Sequence, residues 1–309
     1  MKKLMMIVAV AAAGAAVAAG LGPQNYVQAG LVTHFDAIDN EGTGTHNPSA
    51  NTWRDLKGSA YITLNGSASW TGRYFDSTPT QHTLSSMPAY RRDSLTIETA
   101  VNVMSNGQIS SGNCWPRIFA HGDTCTLHSS GNSSRDFRFY MANVVPGRDL
   151  RPNILSFRQG TAACLSCTEF FATALNGQEK DRVSAAPTGN LEQDGANWTL
   201  NGQSGYLHGH YYAFRMYNRM LSPGEVVTNA VIDKLRFWSY TYTGTGAAVN
   251  WSAIPWTKPE GQTATAPSTD KTAYAQVVNA MASVAASDNV KLAGLSLEDG
   301  ATLNVPSGA

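Results

Sequence analysis

The stretch that most limits what this chain can become is residues 206–225, YLHGHYYAFRMYNRMLSPGE. Its first half has the period-2 rhythm of a strand, with Leu207, Tyr211, Ala213 and Arg215 expected on one face. Its end changes to helix chemistry. Ser222 suits the N-cap, Pro223 the first helical position, and Glu225 the third residue of a capping box. Val226, Val227, Ala230, Val231 and Lys234 then recur at helical spacing as far as Phe237. One late aromatic strand feeding one short helix, in a chain otherwise patterned as strands, argues for an all-β fold.

Composition agrees and removes some functions. Glycine is abundant, with 28 residues, and the polar turn formers are frequent, as a many-stranded protein requires. Lys plus Arg and Asp plus Glu are balanced at 22 each, and charged residues make up only 14%. No basic patch is evident, so nucleic acid is not the expected partner.

Residues 1–18 read as an export signal. Lys2 and Lys3 precede an apolar run, and Ala16-Val17-Ala18 offers a cleavage site after Ala18. The competing reading is a membrane anchor, but the run is short and rich in Ala rather than Leu. No later run is apolar enough to span a bilayer. The chain is therefore expected to be secreted or held at the cell surface.

Four cysteines follow: Cys114, Cys125, Cys164 and Cys167. In an exported chain an even count points to disulfides, and Cys114–Cys125 with Cys164–Cys167 is the simplest of three pairings. The Cys164/Cys167 spacing also suits redox chemistry or half a zinc site, but neither a βαβ context nor a second paired-cysteine motif accompanies it.

In chain order, residues 30–40 give a first strand and residues 53–58, Trp-Arg-Asp-Leu-Lys-Gly, a compact turn with one large aromatic to bury. Residues 61–64 and 69–75 read as short strands joined through Asn65-Gly66, a hairpin signal. The clearest strand is residues 94–103. Leu95, Ile97, Thr99, Val101 and Val103 share one face, and Thr96, Glu98, Ala100 and Asn102 the other. Further strands are expected at 117–121, 136–141, 154–158, 170–175, 182–186 and 198–200, with Asn176-Gly177 and Asn201-Gly202 as turns. The sum is a two-sheet antiparallel sandwich with one short helix.

The ordered set formed by residues 30–40, 53–58, 95–98 and 212–225 resembles the laminin-G-like jelly roll, of the concanavalin A-like lectin/glucanase fold. Residues 24–238 would form that domain. The resemblance implies two curved sheets with carbohydrate or protein recognition at a rim or concave face, and loop sites that often bind calcium. Asp36 and Asp39, near Asn40 and Asp55, supply hard oxygen ligands of the right type for that ion; the same two aspartates also suit turns that end the first strand.

Composition changes after Trp238. Residues 239–270, with Pro255, Pro259 and Pro267 among polar residues, read as a linker. Residues 271–309 form a short C-terminal segment. Its Ala/Val-rich start suits a short helix or exposed loop, and residues 290–305 suit two brief strands, the start of a β-solenoid. A single rung cannot bury its own apolar face, so it needs neighbours, the main domain or a continuation.

Catalytic signals are weak. Retaining glycoside hydrolysis needs two carboxylates about 5 Å apart, and the Glu-x-Asp-x-x-Glu run usual in glucanases of this fold is absent. Glu98 stands alone on its strand, Glu169 precedes two phenylalanines, and Glu192 with Asp194 falls in a Gly-rich turn. There is no Gly-x-Ser-x-Gly elbow. His208 and His210 alternate on one strand face, as two ligands of a metal site would, without a third ligand in view. Trp53, Trp70, Trp115 and Trp198, with Tyr90 and Arg91, are the aromatic candidates for stacking on sugars, and in a sandwich such residues are more often core. The expectation is a non-catalytic module that binds a glycan or surface protein without a cofactor, calcium aside. The alternatives are a structural segment of an autotransporter-like adhesin and a relative of the glycoside hydrolases.

Overall fold

The computed structural model describes residues 21–42, 44–66, 69–78, 80–91, 94–105, 117–121, 125–128, 153–161, 169–175, 177–184, 192–193, 195, 198–201, 208–244, 249–259, 264–267, 273–278, 283–285, 290, 292–297 and 301–304. The chain divides into two units, one of Tyr26–Ala230 and one of Val231–Ala309 with the residues up to Asn25.

The first unit opens with β1 (Leu31–Asp36), β2 (Thr52–Arg54), β3 (Tyr61–Thr63), β4 (Ser69–Trp70), β5 (Phe75–Ser77), β6 (His82–Ser85), β7 (Tyr90–Arg91) and β8 (Ser94–Ser105). It continues through β9 (Arg117–His121), β10 (Cys125–His128), β11 (Asn153–Thr161), β12 (Glu169–Leu175) and β13 (Gln178–Ser184). It closes with β14 (Glu192–Gln193), β15 (Trp198–Leu200), β16 (His208–Tyr217) and the start of α1 (Pro223–Trp238). All its strand pairs are antiparallel.

One sheet runs β13-β12-β11-β8-β16-β5-β4, with β1 also paired to β16; the other runs β10-β9-β15-β6-β3-β2. Their facing sides supply one core. Phe35, Phe75, Leu95, Ile97, Val101, Tyr211, Phe214 and Met216 come from the first sheet, and Trp53, Ile62, Leu84, Phe119, Trp198 and Leu200 from the second. The unit is an all-β two-sheet sandwich.

Strand β8 has the faces its alternation predicts, with Leu95, Ile97 and Val101 turned into this core. Strand β16 does not keep a single rhythm. Tyr211 pairs with Val101 and Ala213 with Ala100, leaving Tyr212 as an extra residue, a β-bulge. The bulge reverses the phase, so Phe214 and Met216 enter the core and Ala213 and Arg215 take the opposite face.

The expected Asn65-Gly66 hairpin is not formed. β3 pairs with β2 and β6 in one sheet, whereas β4 pairs with β5 in the other. Gly66, at φ +74°, instead turns the chain out of one layer before it enters the other. The physical reason lies in Trp70, whose ring sits 5.5 Å from Trp53 and 5.1 Å from Phe75. Burying that ring between layers outweighs one two-residue strand pairing. β12 and β13, in contrast, do form a hairpin, with Leu175 opposite Gln178 and Gly177 at φ +82°.

The Trp53–Gly58 turn is built on Asp55. Its buried carboxylate accepts hydrogen bonds from the N–H groups of His34 (2.7 Å), Lys57 (2.9 Å) and Gly58 (2.9 Å). Burial pushes this carboxyl up from its ordinary range, and the three N–H donors oppose that rise. The turn is thereby fastened to β1.

The capping box forms as expected: Glu225 N–H donates to Ser222 Oγ (3.3 Å) and Ser222 N–H to Glu225 Oε2 (2.8 Å). Arg219 adds a bidentate pair to the Glu225 carboxylate, at 3.0 and 2.6 Å.

In the second unit the segment expected as a linker carries strands and buried aromatics. β17 (Ser239–Tyr242), β18 (Val249–Asn250), β19 (Tyr274–Val277), β20 (Ser283–Ala285), β21 (Gly294–Leu297) and β22 (Thr302–Asn304) form two parallel three-stranded sheets, β17-β19-β21 and β18-β20-β22. Consecutive strands alternate between the sheets, so every second strand stacks on the one before. Tyr240, Tyr242, Trp251, Ile254, Trp256, Ala275 and Val277 make its core. The Ala/Val-rich segment from residue 271 is accordingly strand where it is described, not helix. Its apolar side chains are buried by neighbouring strands, which a lone amphipathic helix would not provide. The expected strand at 136–141 and the signal at 1–18 lie outside the described residues. Among the described residues no helix is long and apolar enough to cross a membrane.

Candidate functional site

Strands β5 and β16 lie side by side, and their alternation decides which side chains gather. Phe75 and Tyr211 point into the core, so Asp76 and His210, which oppose each other in register, face away from it. His208 lies two residues before His210 on the same face. His208 Nε2 is 2.9 Å from Asp76 Oδ1, and His210 Nε2 is 3.7 Å from the same oxygen. His210 is braced by Tyr74, whose ring stacks on it at 4.1 Å and 14°. The three ligating atoms lie within 4.8 Å of one another. Side-chain exposure is 37% for His208, 32% for Asp76 and 9% for His210. Among the described residues this is the one gathering of three or more His, Cys, Asp or Glu side chains with metal-ligand spacing. The sequence exposed its two histidines; Asp76 could be found only from strand pairing.

A second pair has the outline of a nucleophile and base. Ser77 Oγ is 3.1 Å from His82 Nε2, and both residues are fully buried. The Asn65 N–H donates to His82 Nδ1 at 3.0 Å, so the proton of the neutral ring sits on Nε2 and is donated to Ser77 Oγ. A general base needs the opposite tautomer. Ser77 Oγ donates onward to Thr78 O (3.1 Å) and accepts from Asn201 Nδ2 (3.2 Å). Burial lowers the His82 pKa to about 4, which keeps the ring neutral. The cluster is a structural clasp across β5, β6 and the turn after β15.

Glu98 is not alone. Its Oε2 accepts from Arg215 Nε (3.2 Å) and from Asn229 Nδ2 (2.7 Å), and all three residues are fully buried. Asn229 also donates to Tyr217 Oη (2.9 Å) and accepts from the Val27 N–H (3.0 Å). The Tyr26 ring lies 4.1 Å from the Arg215 guanidinium carbon. The face of β16 opposite the core is thus sealed here by α1 and the residues before β1.

Among the described residues, Asp36 and Asp39 belong to no gathering of three or more His, Cys, Asp or Glu side chains with metal-ligand spacing. Asp36 Oδ1 accepts from the Ile38 N–H (2.9 Å), Oδ2 lies 3.8 Å from His34 Nε2, and the Asp39 N–H donates to Asp36 O (3.2 Å). Both therefore contribute to the turn that ends β1. Among the aromatic candidates Trp53, Trp70, Trp198 and Tyr90 are buried in the core and unavailable for stacking on a sugar. Trp115 lies outside the described residues. Glu192 sits on β14 opposite Arg91, and Asp194 is outside the described residues. Cys125 begins β10, whereas Cys114, Cys164 and Cys167 are outside them, as is every pairing they would make.

No protein-family model matches the sequence, and no curated protein matches it. Solved structures with distant likeness include domain 4 of AbnA, a GH43 extracellular arabinanase from Geobacillus stearothermophilus, in complex with arabinotriose. That match has a TM-score of 0.43 and 15% identity, covering 66% of this chain and 100% of that one. Trypanosoma rangeli sialidase matches at a TM-score of 0.39 and 12% identity, over 66% of this chain and 33% of the sialidase. The receptor binding domain of botulinum neurotoxin type G matches at 0.44 and 10%, over 70% of this chain and 56% of that one. This chain therefore spans about a third of the sialidase and just over half of the toxin domain.

Proposed function

We propose that the chain is a non-catalytic recognition module, exported and secreted or displayed at the cell surface, whose sandwich binds a carbohydrate or a surface protein. The observation that carries this reading is the use made of four of its described carboxylates. Glu98 is buried against Arg215 and Asn229, Asp55 is held by three backbone N–H groups, Asp36 closes a turn and Glu225 caps α1. Hydrolysis needs a pair of carboxyl groups flanking an open bond, and each of these groups is spent on holding structure. The Ser77–His82 pair supports the same reading, because its tautomer runs against nucleophile activation.

A glycan array probed with the mature chain, with and without calcium, tests it. Selective retention of particular glycans is expected, and loss of retention on chelation would assign the calcium role to Asp36 and Asp39 if Asp39→Ala reproduces it. Release of reducing ends from the retained polysaccharide would overturn the non-catalytic reading.

A structural adhesin segment is the second reading, and the two parallel sheets of the second unit favour it. A coil of short stacked strands extends by adding rungs and serves as a stalk. Under this reading no glycan or surface protein is retained by the mature chain.

A further inference from the structure

We infer that Asp76, His208 and His210 form a binding site for a first-row divalent cation of the zinc type, with two imidazole nitrogens and one carboxylate oxygen as ligands. The inference is independent of the recognition reading, because it concerns the ion alone.

The distances carry it. A four-coordinate zinc with ligand bonds of about 2.0–2.1 Å places neighbouring ligand atoms about 3.3 Å apart. The observed separations from Asp76 Oδ1, 2.9 Å to His208 and 3.7 Å to His210, fall on either side of that value. The third separation, between the two histidine nitrogens, lies within 4.8 Å, and side-chain adjustments of roughly 1–2 Å in His208 and Asp76 bring the set to that value. His210 is the fixed member, gripped by the stacked Tyr74 ring, while His208 and Asp76 have room to adjust.

The donor set selects the ion class. Two imidazoles and one carboxylate suit zinc and its first-row neighbours, whereas calcium and magnesium take oxygen ligands almost throughout. Three protein ligands at a solvent-facing site leave the fourth position for water or for an oxygen or nitrogen donor on another molecule. The backbone positions the ligands without a loop: a strand supplies His208 and His210, and its register partner supplies Asp76. A His–Asp hydrogen bond without an ion also accommodates the 2.9 Å contact, and titration with metal separates the two.

The experiment is calorimetric titration of the untagged mature chain, stripped with chelator and with its thiols alkylated, using Zn2+ alone. Co2+ is added in parallel and read by visible absorption. We expect about one Zn2+ per chain, and Co2+ bands of a four- or five-coordinate nitrogen/oxygen site. His208→Gln and Asp76→Asn should each weaken Zn2+ binding by about tenfold or more. Both residues are partly exposed, so the variants should keep the parent thermal midpoint in chelator, which shows that they are folded. Absence of Zn2+ uptake by the parent chain would overturn the site. Unchanged affinity in both folded variants would overturn it equally.

Discussion

His82 illustrates how one buried side chain fixes local structure and sets a pH limit. Its ring is neutral in the fold, with a pKa lowered to about 4 by burial from an ordinary value of 6.5. Below 6.5 the unfolded chain takes up a proton that the folded chain refuses, so the contribution is complete above pH 6.5 and lost as pH falls toward 4. The size is roughly 3 kcal/mol. Urea midpoints measured across that interval should fall in the parent chain and change much less in His82→Asn. Arg215 gives a second test. Arg215→Met leaves Glu98 buried without its cation and should cost about 3–5 kcal/mol, of which Glu98→Gln in the same chain recovers part; chemical denaturation of the singles and the double checks this. None of this was legible in sequence. Glu98 read as solitary and Arg215 as a strand-face cation, because their partner Asn229 lies on a helix more than a hundred positions from Glu98, and its register on the sheet follows from packing alone.

Among the elements, α1 was the most readable, since capping is written in four adjacent residues. Arg219 holds the Glu225 carboxyl down to about 2, below its ordinary 4.5. The contribution is therefore present above about pH 4.5 and disappears as pH falls toward 2. Glu225→Gln should lower the thermal midpoint at neutral pH by a few degrees, and the gap from the parent should close in acid. Strand β8 was equally readable, as its two faces follow strict alternation. β16 was read only in part, because a bulge at Tyr212 depends on what β8 offers across the ladder and leaves no mark in the alternation itself. The two brief strands expected at residues 290–305 are β21 and β22, whereas β17 to β20 were missed for a related reason: each has two to four residues, and its partner is reached only after a long connection. An Ala/Val-rich run is ambiguous between helix and strand until that partner is known. Val277→Asp places a charge in the core of that unit and should raise amide exchange across β17, β19 and β21 by at least tenfold.

For the molecule as a whole, class and layering followed from many short alternating runs separated by turns. The candidate site followed only in part: alternation marked His208 and His210, whereas strand register alone brings Asp76, far from them in sequence, beside them. The binding account depends on the sandwich holding Glu98, Asp55, Asp36 and Glu225 for structure and presenting surface for recognition. The most direct test incubates the mature chain with a panel of polysaccharides and surface glycoproteins, measuring retention and reducing-end release in the same samples. Retention of a defined subset with no release of reducing ends is the predicted result. Steady release that rises with the concentration of the chain and is abolished by alanine at Glu192 and Asp194 would contradict it.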